Sequence, residues 1–245
     1  MKRNAILVAT TLTLLTLAAP SVAAQSIPER MPRHSFQLRF GYLFPQGEGT
    51  LWDDTASRFT LAPDDFNGPT WGLSFVTAVN NNFEIGVHGD WYGKTVVAAE
   101  RDFVDEFGYA IVHDTTLEQR PFAVDVRLIP GGRYRGGDQG RSRLKPVFYI
   151  GVGLGVNIWD YVESGDFVDA GDPDLPIYYG TFKESGEALE ARVLAGLEFP
   201  ISPGFNFLVE GRYTWAQGDL NRDLADFENI DLGGAWGFVG ASFRF

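Results

Sequence analysis

GAWGFVGASFRF, residues 234–245, is the stretch on which the reading of this chain turns. Val239, Ala241 and Phe243 recur at every second position, and Gly240, Ser242 and Arg244 alternate with them. Strand side chains point to opposite faces in turn, so the segment reads as a strand with one apolar and one polar side. Such a strand needs partners of the same kind.

Seven further segments supply them. Phe36, Leu38, Phe40, Tyr42 and Phe44 oppose Gln37, Arg39 and Gly41. Trp71, Leu73, Phe75 and Val79 oppose Gly72, Ser74 and Ala78. Phe83, Ile85, Val87 and Trp91 oppose Glu84, His88 and Asp90, and Phe122, Val124, Val126 and Leu128 oppose Ala123, Asp125 and Arg127. The even positions from Phe148 to Ile158 are apolar against Tyr149, Gly151, Gly153, Gly155 and Asn157. Leu189 to Phe199 alternates with Glu190, Arg192, Gly196 and Glu198. Phe205, Phe207, Val209, Tyr213 and Trp215 oppose Asn206, Glu210, Arg212 and Thr214. Each segment spans about nine to twelve residues, the length a tilted strand needs to cross the hydrocarbon layer. Aromatic residues at both ends of several apolar faces fit girdles at two membrane interfaces.

Connections 45–68, 93–116, 160–187 and 217–233 are long, whereas 80–82 and 200–204 are short turns. That alternation suits a barrel with long outer loops and short periplasmic turns. The Gly- and Arg-rich stretch 130–146 breaks the pattern and reads as a flexible periplasmic loop. A soluble eight-stranded cup also alternates, with its apolar face inward around a ligand. The glycine row Gly151, Gly153 and Gly155 lies on the polar face, where a narrow bore rewards small residues, and favours the membrane barrel.

The other end of the chain agrees. Lys2 and Arg3 precede an apolar run from Ala5 to Ala19 and a small-residue stretch through Ala24. This is the order of a secretory signal peptide over 1–24, too short for a membrane-spanning helix. A short periplasmic segment, 25–33, and a barrel domain, 34–245, complete the expected organisation. There is no cysteine, so neither a disulfide framework nor a thiolate metal site is available. A net charge of −12 argues against nucleic acid as a partner.

Signal, eight strands, long loops on one side and the terminal Phe-Arg-Phe together resemble the small outer-membrane β-barrels of the OmpA/OmpX type. The resemblance covers about 34–245 and implies an all-β, eight-stranded antiparallel up-and-down barrel in the outer membrane of a Gram-negative bacterium. It further implies lipid and lipopolysaccharide around the barrel, and assembly machinery that reads Phe243 and Phe245 as an address. The sequence departs from OmpA in ending at the eighth strand, so no peptidoglycan-binding domain is expected. No cofactor is implied, and an extracellular ligand is left unspecified.

On the polar face, Arg39, Arg127, Arg192, Arg212 and Arg244 meet Glu84, Asp90, Asp125, Glu190, Glu198 and Glu210. If the turn at 200–204 pairs Phe199 with Phe205, Arg192 faces Arg212, with Glu190 and Glu210 beside them. Such a network either packs the bore or, by swapping partners, gates a narrow ion channel. A turn at 80–82 would set Ser74 across from His88, with Asp90 further along the same face, which raises a lipid A-modifying enzyme as a lesser alternative. Lumen charges and the lack of an acyl pocket or oxyanion hole speak against catalysis, and the expectation is a barrel that is not an enzyme. Gly151–Gly155, GVGLG, is no dinucleotide fingerprint, because its glycines recur in twos within a strand. The four long loops hold 23 acidic and five basic residues. Among them Asp166, Asp169, Asp172 and Asp174 are calcium candidates that lack the EF-hand order. The 130–146 loop carries Arg133, Arg135, Arg141, Arg143 and Lys145 with Asp138 alone opposing them, a feature suited to solubility or to an acidic periplasmic partner.

Overall fold

The computed structural model describes residues 32–134, 145–169, 171–202, 204–227 and 229–245. The expected signal peptide lies outside them, as do Arg135, Asp138, Arg141 and Arg143. Eight strands close into an antiparallel ring: β1 (His34–Pro45), β2 (Gly68–Ala78), β3 (Phe83–Val104), β4 (Ala110–Leu128), β5 (Val147–Val168), β6 (Ile177–Ser202), β7 (Phe205–Asp219) and β9 (Gly234–Arg244). The ring closes where β9 pairs with both β7 and β1. A three-residue strand, β8 (Asn229–Asp231), pairs with the outer end of β7. Helix α1 (Thr50–Arg58) and a 3-10 turn at Pro63–Phe66 fold out of the first long connection.

The alternation read from the sequence sorts into outside and inside. Phe40, Val87, Val152 and Leu154 are more than half exposed on the outer wall, while Gln37, Arg39, Glu84 and Arg127 are fully enclosed. Trp71 stacks on Trp91 at 4.4 Å on the outer wall, and Phe122 meets Trp91 edge-on. At the other rim Phe205 packs on Phe243. The glycine row is required by closeness. A Cβ on Gly153 would lie 2.8 Å from the Val124 carbonyl and 3.0 Å from Cγ of Arg192.

Three expectations need correction. First, 93–116 and 160–187 are mostly strand, not loop: β3 and β5 run for 22 residues and β6 for 26. Above the girdle the strict alternation gives way while the geometry continues. The outer row becomes mixed, with Thr95, Thr116, Glu118, Asp160, Ser185 and Glu187 beside Val97 and Val112, and the inner row combines Tyr92, Leu117, Trp159, Tyr161 and Ala188 with buried Thr115, Gln119, Asn157, Glu163 and Glu184. Outside is now water and inside is a core built around large aromatic rings, so a search for one continuous apolar face stops at the membrane surface.

Second, the 200–204 turn sets a register two residues from the expected one. Phe199 pairs with Phe207, Arg192 with Thr214 and Leu194 with Arg212, with an irregularity between Pro200 and Ser202. A slip of two keeps every side chain on its face, so both arginines remain inside but no longer face each other. Third, the basic connection after β4 is not wholly a free loop. Asn82 and Asn81 hold its start through Ile129, Arg133 and Tyr134, and the Tyr134 hydroxyl donates to the Pro32 carbonyl at 2.5 Å.

Candidate functional site

The lower bore holds two ion clusters. In the central one, Asp90 on β3 accepts from Arg39 of β1 at 2.7 Å and Arg212 of β7 at 2.5 Å. Glu210 accepts from Arg39 and Arg212 at 2.9 Å, Arg127 at 3.2 Å and the Tyr149 hydroxyl at 2.8 Å. Asp125 binds Arg127 at 2.9 Å and contacts His88, and Glu190 contacts Arg192. Four arginines thus meet four carboxylates with their side chains almost fully buried. Arg39 and Arg212 also lie over the Phe238 ring, at 5.1 and 4.9 Å, and Arg127 over Tyr149 at 4.7 Å. A buried charge this far from water is tolerable only when paired in this way.

The second cluster is periplasmic. Arg133 reaches into the barrel from the connection after β4 to meet Glu84 at 2.6 Å and Glu198 at 2.8 Å. Arg244 joins both, at 3.5 and 2.8 Å. Gln37 bridges the clusters, donating to Glu198 at 3.3 Å and accepting from Arg127 at 3.4 Å. Sequence reasoning missed Arg133 because nothing in the 130–146 composition separates an inward arginine from solvated ones. The odd carboxylate among the expected lumen charges was the available signal.

The Ser74–His88–Asp90 grouping does not form as a relay. Ser74 does pair across from His88, as the turn at 80–82 requires. Its hydroxyl, however, donates to Gln37 at 3.0 Å, His88 Nε2 lies against Asp125, and Asp90 is held by arginines. Among the acidic-loop candidates, Asp166 sits in β5 opposite Tyr179. Asp169 and Asp172 cap turns through the Gly171 and Asp174 amides. Among the described residues no group of three or more such ligands is placed to hold a metal ion.

Above the ions sits an apolar cap that the sequence did not announce. Trp52 and Leu51 of α1 turn inward, and Trp52 meets Phe66 at 5.5 Å and Tyr161 at 6.2 Å edge-on. Its indole donates to the Asp231 carbonyl at 3.2 Å. Leu43, Leu117, Trp159, Leu232, Trp236 and Phe238 complete the cluster. Higher still, His113 is wedged against Phe59 at 4.4 Å and Phe167 at 4.7 Å. Burial lowers its pKa to about 4, and raises those of Glu100 and Glu163 nearby.

No protein-family model and no curated protein sequence matches the chain. Solved structures do. The outer membrane protein OprG from Pseudomonas aeruginosa superposes with a TM-score of 0.51 at 12% identity, covering 88% of this chain and 96% of its own. The fold is that of the small outer-membrane β-barrels. Neisserial surface protein A (TM-score 0.45, 12% identity, 86% and 96% covered) is also similar. So is Ail of Yersinia pestis (0.42, 16%, 88% and 100%). With its apolar wall and aromatic girdles, this outer-membrane barrel crosses the bilayer by strands, and no described helix is long and apolar enough to do so. Phe243 lies in that lipid-facing wall, and Phe245 rests against His34 and Phe75 at the periplasmic rim.

Proposed function

We propose that the protein is a structural or surface-interaction barrel whose bore is closed, and that it is neither a channel nor an enzyme. The observation that carries this reading is the matched charge in the bore beneath an apolar cap. Four arginines against four carboxylates at the centre, and two against two below, leave no surplus charge to select an ion. Trp52, Trp159 and Trp236 above them fill the bore with buried indole rings, which narrows any path for a hydrated ion. The long outer connections, with their acidic excess, then carry whatever recognition the protein performs. Ser74, engaged by Gln37, lacks the base that acyl transfer would need, which supports a role other than lipid modification.

Planar-bilayer recording tests the reading. Purified protein should give no steady conductance at moderate voltage. Large, steady steps that change when Arg192 or Arg212 is replaced by alanine would instead make it an ion channel gated by swapping pairs.

A further inference from the structure

The outer wall carries a second apolar zone, separated from the membrane belt. Between the two lies a polar collar of Glu118, Arg120, Asp160, Lys183 and Glu187. Beyond it, at the tips of the β3–β4 and β5–β6 hairpins, Phe107 is 74% exposed and Tyr109 70%. Lipid cannot account for this zone, because the collar keeps it away from the bilayer. An exposed apolar patch rimmed by polar groups marks an interaction site.

The patch surrounds a cleft with a simple origin. The β4–β5 ladder ends at His113 opposite Gly165, yet β4 begins at Ala110 and β5 continues to Val168. The hairpins therefore part, leaving a cleft of about 470 Å³ lined by Phe103, Val104, Phe107, Ile111, Leu175 and Ile177. Asp105 and Glu106 border it on the first hairpin, and the tips that flank it carry further carboxylates in sequence, Asp102 on the first and Asp166, Asp169, Asp172 and Asp174 on the second. Asp105, Asp169 and Asp172 each cap a turn with one oxygen, which fixes these carboxylates in place. Arg101, the basic residue nearest the tip of the first hairpin, donates to the Ala56 and Phe59 carbonyls.

Charge chooses the occupant. A second copy of this chain would bring the same acidic rim, and the anionic surface of lipopolysaccharide would be repelled in the same way. An apolar floor inside a carboxylate rim fits a chain that alternates apolar and basic side chains. We propose that the hairpin-tip cleft captures a cationic amphipathic polypeptide segment, its apolar side chains in the cleft and its lysines or arginines on the rim. This inference rests on the surface-interaction reading and gives that reading a partner class. Encounter would be fast and salt-dependent, as is usual for opposite charges.

The test uses the full mature protein in phosphatidylcholine nanodiscs and a short dye-labelled peptide alternating lysine with leucine. Fluorescence anisotropy should show saturable binding absent from empty nanodiscs and weakened by added salt. The double variant Val104→Ser/Phe107→Ser should bind at least about tenfold more weakly, a loss of ~1.4 kcal/mol. Both side chains are solvent-facing, so retained heat-modifiable gel migration checks that the barrel still folds. Glu106→Gln, which removes one carboxylate charge at the cleft while keeping the side chain's size, should reduce the salt dependence. Equal affinity of native and double-variant protein, or equal binding of a glutamate–leucine peptide, would overturn the proposal. So would phenylnaphthylamine filling the cleft while the peptide fails to bind, or tip-dependent dimers in sedimentation. Silent bilayers with no peptide binding would reject this inference and leave the closed-bore reading standing. Large conductance would reject that reading alone.

Discussion

Glu210→Gln separates a dry, matched bore from a hydrated one. The substitution keeps the side chain's shape and removes one negative charge from a site where three guanidinium groups and the Tyr149 hydroxyl converge within 3.2 Å. At about 1.5–3 kcal/mol per charged hydrogen bond, a simple sum would reach roughly 6–12 kcal/mol. That sum overcounts, because each arginine keeps another carboxylate: Arg39 and Arg212 retain Asp90, and Arg127 retain Asp125. What is left is one uncompensated positive charge in a buried network, which costs about 3–5 kcal/mol. Urea unfolding in detergent micelles, followed by tryptophan fluorescence, reads the loss as a fall in midpoint at constant slope. Adding Arg212→Met, whose other partner Asp90 keeps Arg39, restores the balance at three against three and should recover at least half of it. A loss below ~1 kcal/mol, or no recovery in the double variant, would mean that water screens these charges, and the closed-bore argument would fail with it.

Two further outcomes follow from the cap. Trp52→Ala should cost about 3–5 kcal/mol of local stability, since a fully buried indole leaves a cavity and abandons the Asp231 carbonyl. Hydrogen exchange should therefore speed up across residues 50–58 while the strands below stay protected. His113 favours its neutral form, so its contribution is present above its ordinary pKa near 6.5 and is lost as pH falls through about 4. After discounting for partial solvent screening, the acid loss is at most ~2 kcal/mol. Burial raises the pKa of Glu100 and Glu163, which opposes the trend because protonation relieves their penalty. The measurable quantity is thus the difference between native protein and His113→Phe: hairpin exchange rates should diverge below pH ~6.5. Parallel pH profiles would show that His113 carries no such burden.

How much was legible follows from what surrounds each strand. Within the bilayer a strand faces lipid on one side and ion pairs on the other, so Phe36 to Phe44 or Phe148 to Ile158 shows its orientation in any short window. The turn at 80–82 leaves no slack, and Ser74 therefore pairs with His88 as its length requires. At 200–204 an irregularity beside Pro200 absorbs two residues, which spacing alone cannot reveal. The site suffered more than the fold from this kind of ambiguity.

Period-two polarity in the amino-acid chain fixed the eight crossings, their lipid-facing rows and the set of charges that must share the bore. Only tertiary structure decided who pairs with whom: Asp90 with Arg39 and Arg212, and Arg133 drawn in from its connection to meet Glu84 and Glu198. It also decided that β3 to β6 continue above the membrane around Trp52 and Trp159. The physical reason is that alternation records which solvent each face meets. Long-range pairing, and the exchange of lipid for water outside and ions for apolar core inside, depend on contacts between residues as far apart as 39 and 210.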